Sequence, residues 1–415
     1  MPSVNGLAAI ARGTQAQSAI EKYDLMEDTI EKLNKLDWGF DNAITDEWTH
    51  GIHPYPAKFI PQIPRTLIKA LSKPGQTVLD PFCGGGTTLV EANVLGRDAV
   101  GIDTNPLAIL IAKVKTERLN KRQLARLLEL AEIFRTWSSE EKGHRALFKM
   151  QMREQPEPSI PQIPNLEQWF EKEVRKELGV GRAAIAEIKD SAVRTTAYVA
   201  LSRIIVRVSN QDSETRYTKR KKDVARGDTL RLLAAAIVDT HAKLKSFQDV
   251  RQPGRISLYN TDARGLSKSL AKTSIDLVVT SPPYPNAFDY HLYQRHRLFW
   301  LGYEPKEVMK AEIGSHLNYQ RSSRNGIEVF AEDMRKVFNG LRVVLSPGAY
   351  CCFVIGDSVF EGKVHENSKL LTEIGKEAGL TLVAEINRRL PTSKRSFTTA
   401  ARRLAYEQIL ILRNR

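Results

Sequence analysis

The chain predicts an α/β fold: a doubly wound, mostly parallel sheet of Rossmann-like type with a closing antiparallel hairpin and a large helical insertion. Three observations carry this. Short apolar runs at Val78-Leu79, Asp98–Ile102 and Ile275–Val279 each stop in a polar, turn-forming cluster. The first two clusters, Asp80–Thr88 and Asp103–Pro106, lead straight into helical periodicity, which is the β-α-β-α alternation of a parallel sheet. From about residue 108 to 245 the spacing turns almost wholly helical, and the alternation resumes at Ile256.

Residues 1–48 read as a helical leader, with apolar positions at helical spacing from Ser18 to Leu36. The prolines of His53–Pro61 set an extended entry to an amphipathic helix over Ile63–Ser72, which Pro64 is suited to start. Val78-Leu79 runs into Asp80-Pro81-Phe82-Cys83-Gly84-Gly85-Gly86-Thr87-Thr88, followed by a helix over Leu89–Leu95. Asp98–Ile102 ends at Asp103-Thr104-Asn105-Pro106, where another helix begins. The insertion holds a proline-bearing linker from Gln155 to Pro164, a buried helix over Ala197–Val208, a basic run Arg216–Lys222 and a long helix over Thr229–Leu244. Strands return at Ile256–Tyr259, ending in Asn260-Thr261-Asp262, and at Ile275–Thr280. A helix over Phe330–Leu345, a strand over Ala349–Ile355 and a helix over Asn367–Ala378, with Asn367 as its N-cap, come next. Thr381–Ile386 and Gln408–Leu412 close the sheet as an antiparallel pair. The resulting division is a leader (1–48), an α/β unit (49–110 and 250–415) and a helical insertion (111–249).

Composition sets bounds on function. The 415 residues are 42% hydrophobic, enough for a sizeable core. No apolar run approaches the ~18 residues of a membrane span, and the first twenty residues lack a secretory apolar segment, so a cytoplasmic protein with no membrane partner is expected. Of three cysteines, Cys83 lies in the glycine turn, and the neighbours Cys351 and Cys352 point to opposite faces of a strand. No Cys-x-x-Cys or His/Cys cluster exists, so no metal site is expected. Lys and Arg number 62 against 48 acids, a net charge of +14 that favours a polyanionic partner.

The turns define the chemistry. Gly84, Gly85 and Gly86 let backbone approach a ligand, but no lysine follows them as a phosphate-binding loop requires. Asp103, closing the next strand, can accept both hydroxyls of a ribose, and Asp262 can accept from an adenine amino group. That set fits an adenosine-bearing ligand without a polyphosphate: S-adenosyl-L-methionine. At the end of Ile275–Thr280, Pro282 and Pro283 cannot continue a ladder. The corner Ser281-Pro282-Pro283-Tyr284 therefore offers a hydroxyl, carbonyls and an aromatic face, suited to a planar base with an exocyclic amine.

Asp80–Thr88 resembles the S-adenosylmethionine loop of the amino-group (N4-cytosine and N6-adenine) DNA methyltransferases, and Thr280-Ser281-Pro282-Pro283-Tyr284 resembles their catalytic loop. His53-Pro54-Tyr55-Pro56-Ala57-Lys58-Phe59 is similar to the segment that completes their methionine pocket. The resemblance covers roughly residues 50–115 and 255–412 and departs at Gly85, where another small residue is usual, and in the placement of the insertion. It implies cofactor contacts from Lys58, Phe59, Asp80, Phe82, Gly84, Gly86, Thr87, Thr88, Asp103, Asn105 and Asp262. It implies catalysis by Ser281, Pro282, Pro283 and Tyr284, with Tyr284 stacking on a base flipped out of double-stranded DNA. Serine before Pro-Pro favours cytosine N4. Adenine N6, an RNA substrate or a non-catalytic DNA-binding subunit are the alternatives. A cognate restriction endonuclease is an expected partner.

DNA contacts are expected from Arg216, Lys219 and Arg220 in the insertion, and from Lys394 and Arg395 in a basic stretch that starts at Arg388. Tyr290–Trp300 reads either as a nucleic-acid surface or as a helix with Leu298, Phe299 and Trp300 in the core; Asp289 and Tyr290 are candidates for the base pocket. His53 is expected to hydrogen-bond in a turn, and Cys83 is not expected to be a catalytic thiol.

Overall fold

A computed structural model describes residues 28–56, 58–139, 154–270, 274–285, 289–315, 326–360, 363–390 and 406–415. Its main sheet is built from β1 (Thr77–Asp80), β2 (Asp98–Asp103), β5 (Ile256–Asn260), β6 (Ile275–Thr280), β7 (Leu345–Gly356), β10 (Leu380–Arg389) and β11 (Tyr406–Asn414). Two ribbons complete the strands: β3 (Gln211–Ser213) with β4 (Arg216–Lys219), and β8 (Ser358–Phe360) with β9 (Lys363–His365). The seven strands lie in the order β10-β11-β7-β6-β1-β2-β5. β5, β2, β1, β6 and β7 are parallel, and β11 runs antiparallel to both β7 and β10. The expected closing pair is present, with β11 lying inside β10 against β7. From β1 the chain winds outward to β2 and β5, then returns to the other side of β1 as β6 and β7. The crevice above the carboxyl ends of β1 and β6 is thus the topological switch point, where open α/β sheets bind ligands.

Both sheet faces are buried, as the near-continuous apolar strands require. One face (Leu79, Ile102, Val278, Cys351, Phe353, Leu410, Leu412) packs on helices α9 (Gly326–Val344) and α10 (Asn367–Glu377). The other (Val78, Ala99, Leu277, Val279, Cys352, Ile409, Ile411) packs on α1 (Gln62–Leu71) and α2 (Thr87–Val94). Cys351 and Cys352 do point to opposite faces, and among the described residues all cysteines are free.

The insertion follows α3 (Pro106–Thr116) as α4 (Lys121–Ser138), α5 (Lys172–Ala186), α6 (Ser191–Val208) and α7 (Asp228–Val250). Its core is continuous with that of the sheet unit: Ile52, Tyr55, Leu107 and Ile111 join Phe134, Leu178, Leu201 and Leu233 in one cluster. α7 is capped from another helix. The buried Glu177 carboxylate of α5 accepts from the N–H groups of Gly227 (2.5 Å), Thr229 (3.0 Å) and Leu230 (3.3 Å). Gly227 has φ 86°, and an added Cβ would lie 2.3 Å from the Ser138 carbonyl oxygen, so only glycine brings these elements together.

Several expectations are corrected. Residues 209–222 contain the β3–β4 hairpin rather than a break between helices, because Gln211–Ser213 and Arg216–Lys219 pair across a two-residue turn. Pro61 occupies the N-cap of α1, and Pro64 sits within its first turn, where a missing N–H costs little. Asn367 is the first residue of α10, not its cap; its side-chain amide donates to the Gly356 carbonyl at 2.8 Å and fixes the end of β7. Of the two readings of Tyr290–Trp300, the core one holds for Leu298 and Trp300 of α8 (Arg295–Leu301), which are fully buried, while Phe299 is half-buried; Arg297 is also buried and pairs with Glu214 at 2.7 Å. Of the leader, residues 28–35 are helical and Leu33 and Trp38 are buried; residues 1–27 lie outside the described residues.

Candidate active site

Two strand ends build the site. At the end of β1, Cys83 N–H donates to the Ile102 carbonyl (2.9 Å) and Gly86 N–H to the Cys83 carbonyl (2.7 Å), folding the glycine turn over the end of β2. Gly84 and Gly86 have φ of 47° and 80°, the left-handed region that favours glycine. A Cβ on Gly86 would lie 2.9 Å from Ala112 Cβ, so this glycine also lets α2 pack against α3. At the end of β6, Thr280 Oγ1 donates to Asp80 Oδ1 at 2.6 Å, and Thr88 Oγ1 donates to the Val279 carbonyl at 3.2 Å. Side chains around the glycine turn therefore clasp the strand that delivers Ser281.

A cleft holding about 830 Å³ of empty space, part of it open to solvent, lies across these ends. Lys58, Phe59, Phe82, Gly84, Thr87, Asp103, Asn105, Asp262, Ser281 and Pro283 line it. Asp80, Gly86, Thr88, Pro282 and Tyr284 do not; the first three support the turn from behind. Asp103 Oδ1 accepts from Asn105 N–H (2.8 Å) and Oδ2 from Gly84 N–H (2.9 Å), which leaves lone pairs facing the cleft. Burial pushes the Asp103 and Asp80 carboxyls up to about 6, against hydrogen bonds that pull them down. Asp262 is held by Arg264: the guanidinium donates to it at 2.6 Å from Nη2 while Nη1 donates to both Asp333 oxygens at 3.1 Å.

Tyr284 is half-buried and does not line the cleft. Its ring packs against Gly356, and its hydroxyl donates to Glu407 Oε1 at 3.2 Å and hydrogen-bonds the Ser281 side chain. Aromatic surface in the cleft comes from Phe59, Phe82 and the stacked pair Tyr55 and Tyr290, whose centroids lie 6.0 Å apart at 17°. Tyr290 lines the cleft as expected; Asp289 does not, and accepts from Ser315 Oγ at 2.7 Å. Sequence reasoning misses Glu312, a buried carboxylate in the cleft wall that accepts from His291 N–H at 2.7 Å and pairs with His291 Nδ1 at 2.5 Å. No spacing pattern marks it; only the fold brings residue 312 beside the strand ends. Asp289, His291 and Glu312 hold ligand-type atoms within 4.8 Å of one another, and each already has the protein partner just given.

The remaining candidates are placed as follows. Arg216, Lys219 and Arg220 are exposed on the β3–β4 ribbon, with only distant ion pairs from Asp212 to Arg216 (3.9 Å) and Arg220 (3.6 Å). Lys222 turns inward to the Val206 carbonyl at 2.6 Å. Lys394 and Arg395 lie outside the described residues. Arg388 is buried, bound to Glu407 (2.6 Å) and the Trp38 carbonyl (2.9 Å), so it leaves the expected basic stretch. His53 reaches beyond its turn to Ser202 Oγ of α6 at 2.7 Å. Cys83 is buried and its thiol is pushed well up, so it is unreactive. Among the described residues no helix is long and apolar enough to cross a membrane.

Residues 14–114 match the family model for N6/N4-type DNA methylases, described as DNA methylase. The chain is 26% identical over 440 residues to the type II methyltransferase M.MjaII of Methanocaldococcus jannaschii, covering 86% of this chain and 81% of that protein. It is 28% identical over 261 residues to M.MvaI of Kocuria varians, covering 59% and 55%. It is 24% identical over 276 residues to M.BsoBI of Geobacillus stearothermophilus, covering 61% and 53%. The chain thus spans about half the length of the last two.

Proposed function

We propose that this chain, matched over residues 14–114 to the N6/N4-type DNA methylases, is an S-adenosylmethionine-dependent DNA methyltransferase that methylates an exocyclic amine. The finer reading is cytosine N4, from the serine that precedes Pro-Pro, at a short duplex site as the modification half of a restriction system; the printed name type II methyltransferase of the relatives supports the restriction-system part alone. The observation that carries the activity is the 2.6 Å bond from Thr280 to Asp80, which sets the cofactor turn beside the Ser-Pro-Pro corner.

The cleft suits the cofactor. Asp103 has unused lone pairs for ribose hydroxyls, Asp262, held in the cleft wall by Arg264, stands on the side where the adenine would lie, and Phe59, Phe82 and Ile313 supply apolar wall. When bound, S-adenosylmethionine supplies an electrophilic methyl on a cationic sulfur. Ser281 Oγ in the cleft wall then accepts one N–H bond of the target amine, and the backbone carbonyl of Pro282, between the lining residues Ser281 and Pro283, is the second acceptor that the resemblance implies. The amine's lone pair is thereby turned out of the ring and toward the methyl, and much of the rate comes from that positioning. Because Tyr284 donates its own proton to Glu407, it receives the Ser281 proton. The lone pairs of Ser281 Oγ are left toward the cleft as acceptors, so Tyr284 positions Ser281 rather than stacking on the base. Tyr55 and Tyr290 offer the flipped base an aromatic surface, which offsets part of the few kcal/mol of unstacking. Arg216, Lys219 and Arg220, with Lys394 and Arg395, take DNA phosphates.

Tritiated methyl transfer to duplex DNA tests this reading. The wild-type protein labels DNA and not tRNA or rRNA, and Ser281→Ala loses about 100-fold or more in rate with cofactor affinity unchanged. Label appearing in RNA alone, or an unaffected Ser281→Ala, overturns it.

A further inference from the structure

The basic β3–β4 ribbon carries a residue that a clamp for phosphates does not need. Asp212 of β3 lies 3.9 Å from Arg216 Nη1 and 3.6 Å from Arg220 Nη1, so the three side chains converge on one face of the ribbon. Glu214, the acid at the turn, is instead taken up by the buried Arg297. The two arginine side chains are 65% and 77% exposed, against 17% for Asp212. At these distances Asp212 biases where the guanidiniums point without occupying their N–H groups in hydrogen bonds.

The ribbon is also firmly placed. Arg297 of α8 donates from both terminal nitrogens to Glu214, each at 2.7 Å. The Tyr217 ring stands 4.8 Å from that of Trp169 and 5.5 Å from that of His296. Arg220 N–H donates to the Asn210 carbonyl at 2.7 Å. The buried Gln211 of β3 donates from Nε2 to the Tyr293 carbonyl at 3.4 Å. Tyr290, at the other end of that short helix (Tyr290–Tyr293), lines the cleft. The ribbon thus adjoins the helix that forms part of the cleft wall.

A carboxylate on this face repels phosphates, and Arg216 and Arg220 would neutralise DNA charge better without it. Aiming the guanidiniums accounts for its presence. The arginine fork matches O6 and N7 of guanine, and a two-stranded ribbon fits the major groove, where those atoms are displayed. Alternate residues of a strand stand about 6.6–6.8 Å apart, which is about two base-pair steps of DNA. Side chains on one ribbon face can therefore meet base edges in register.

We propose that the outer face of β3–β4 reads the target sequence from the major groove, with Arg216 and Arg220, aimed by Asp212, each taking a guanine edge. The proposal rests on the DNA methyltransferase reading above and names the surface that selects the site. On non-target duplex the same guanidiniums take phosphates. At the target they exchange phosphates for guanines, and the Asp212 charge favours that exchange.

The test is methylation of a library of randomised duplexes, with the modified positions read by sequencing, by the wild type and by Arg216→Ala, Arg220→Ala and Asp212→Asn. The wild type modifies a short site with guanine at two fixed positions. Each arginine variant lowers the preference for one of those guanines by about tenfold or more, and the two positions differ. Asp212→Asn keeps both positive charges, binds non-target duplex at least as tightly as the wild type, and lowers the preference at both positions. Variants that keep the wild-type preference and lose only overall affinity overturn the proposal, as does a wild type that methylates DNA with no sequence preference; both results leave methylation standing. A wild type that modifies no DNA overturns the methyltransferase reading, and this proposal with it.

Discussion

Asp103 carries a consequence for pH. It accepts from both ribose hydroxyls most strongly when ionised, and its carboxyl is pushed up to about 6. Cofactor affinity therefore holds above about pH 7 and falls as the pH drops through 6; Asp103→Asn binds weakly and flattens the profile. Titration calorimetry at about pH 5 and about pH 7.5 reads both effects, and a wild-type affinity equal at the two values contradicts them. Folding shows the opposite sign. Asp80 and Asp103 hold protons more tightly folded than unfolded, so their contribution to stability falls as the pH rises from about 4 to about 6. At Tyr284, removing the hydroxyl frees the Ser281 proton, so Tyr284→Phe lowers kcat while leaving cofactor affinity intact. If Tyr284 instead acted by stacking, the phenylalanine variant would keep its rate. The acids Asp80 and Asp103 and the serine Ser281 are legible in the sequence because each ends an apolar run, where a parallel sheet places its ligands. Glu312 is not, because it sits in a stretch without periodicity and only the fold brings it to the cleft wall.

At the scale of elements, the sheet strands and their helices are legible to within a few residues, since apolar runs bounded by glycine, proline or aspartate leave few alternatives. The β3–β4 ribbon is not, because Arg216–Lys219 has a mostly exposed burial pattern and so carries no apolar alternation. That ribbon presents Arg216, Lys219 and Arg220 to solvent, and replacing all three by alanine lowers the salt dependence of DNA binding. The slope of log K against log salt shrinks by about 0.9 for each phosphate that is no longer neutralised; an unchanged slope removes the ribbon from the DNA interface. The turn between β1 and α2 is held by the Asp80 and Asp103 carboxylates, which accept from Phe82 N–H and Gly84 N–H, and by a close approach at Gly86. Gly86→Ala forces a residue with φ 80° to carry a Cβ 2.9 Å from Ala112, at a cost of about 1–3 kcal/mol. Urea denaturation measures it, and a variant as stable as the wild type contradicts the packing described.

Across the whole molecule, the insertion and the sheet share a core. Ile52, Tyr55 and α3 pack with α4 to α7, and His53 and Arg297 bind Ser202 of α6 through its hydroxyl and carbonyl. That shared core predicts that the insertion and the sheet unit unfold together. The chain is expected to unfold in one cooperative transition, and two resolved transitions by circular dichroism and tryptophan fluorescence would contradict a continuous core. α6 and α8 tie the ribbon to the same core, with Arg297 of α8 paired to Glu214 between β3 and β4. The central claim is that the glycine turn and the Ser-Pro-Pro corner form one site for amine methylation. Mass spectrometry of nucleosides from duplex DNA incubated with the protein and isotopically labelled S-adenosylmethionine tests it most directly. The account predicts labelled N4-methylcytosine that disappears with Ser281→Ala; labelled 5-methylcytosine, or no labelled base at all, would contradict it.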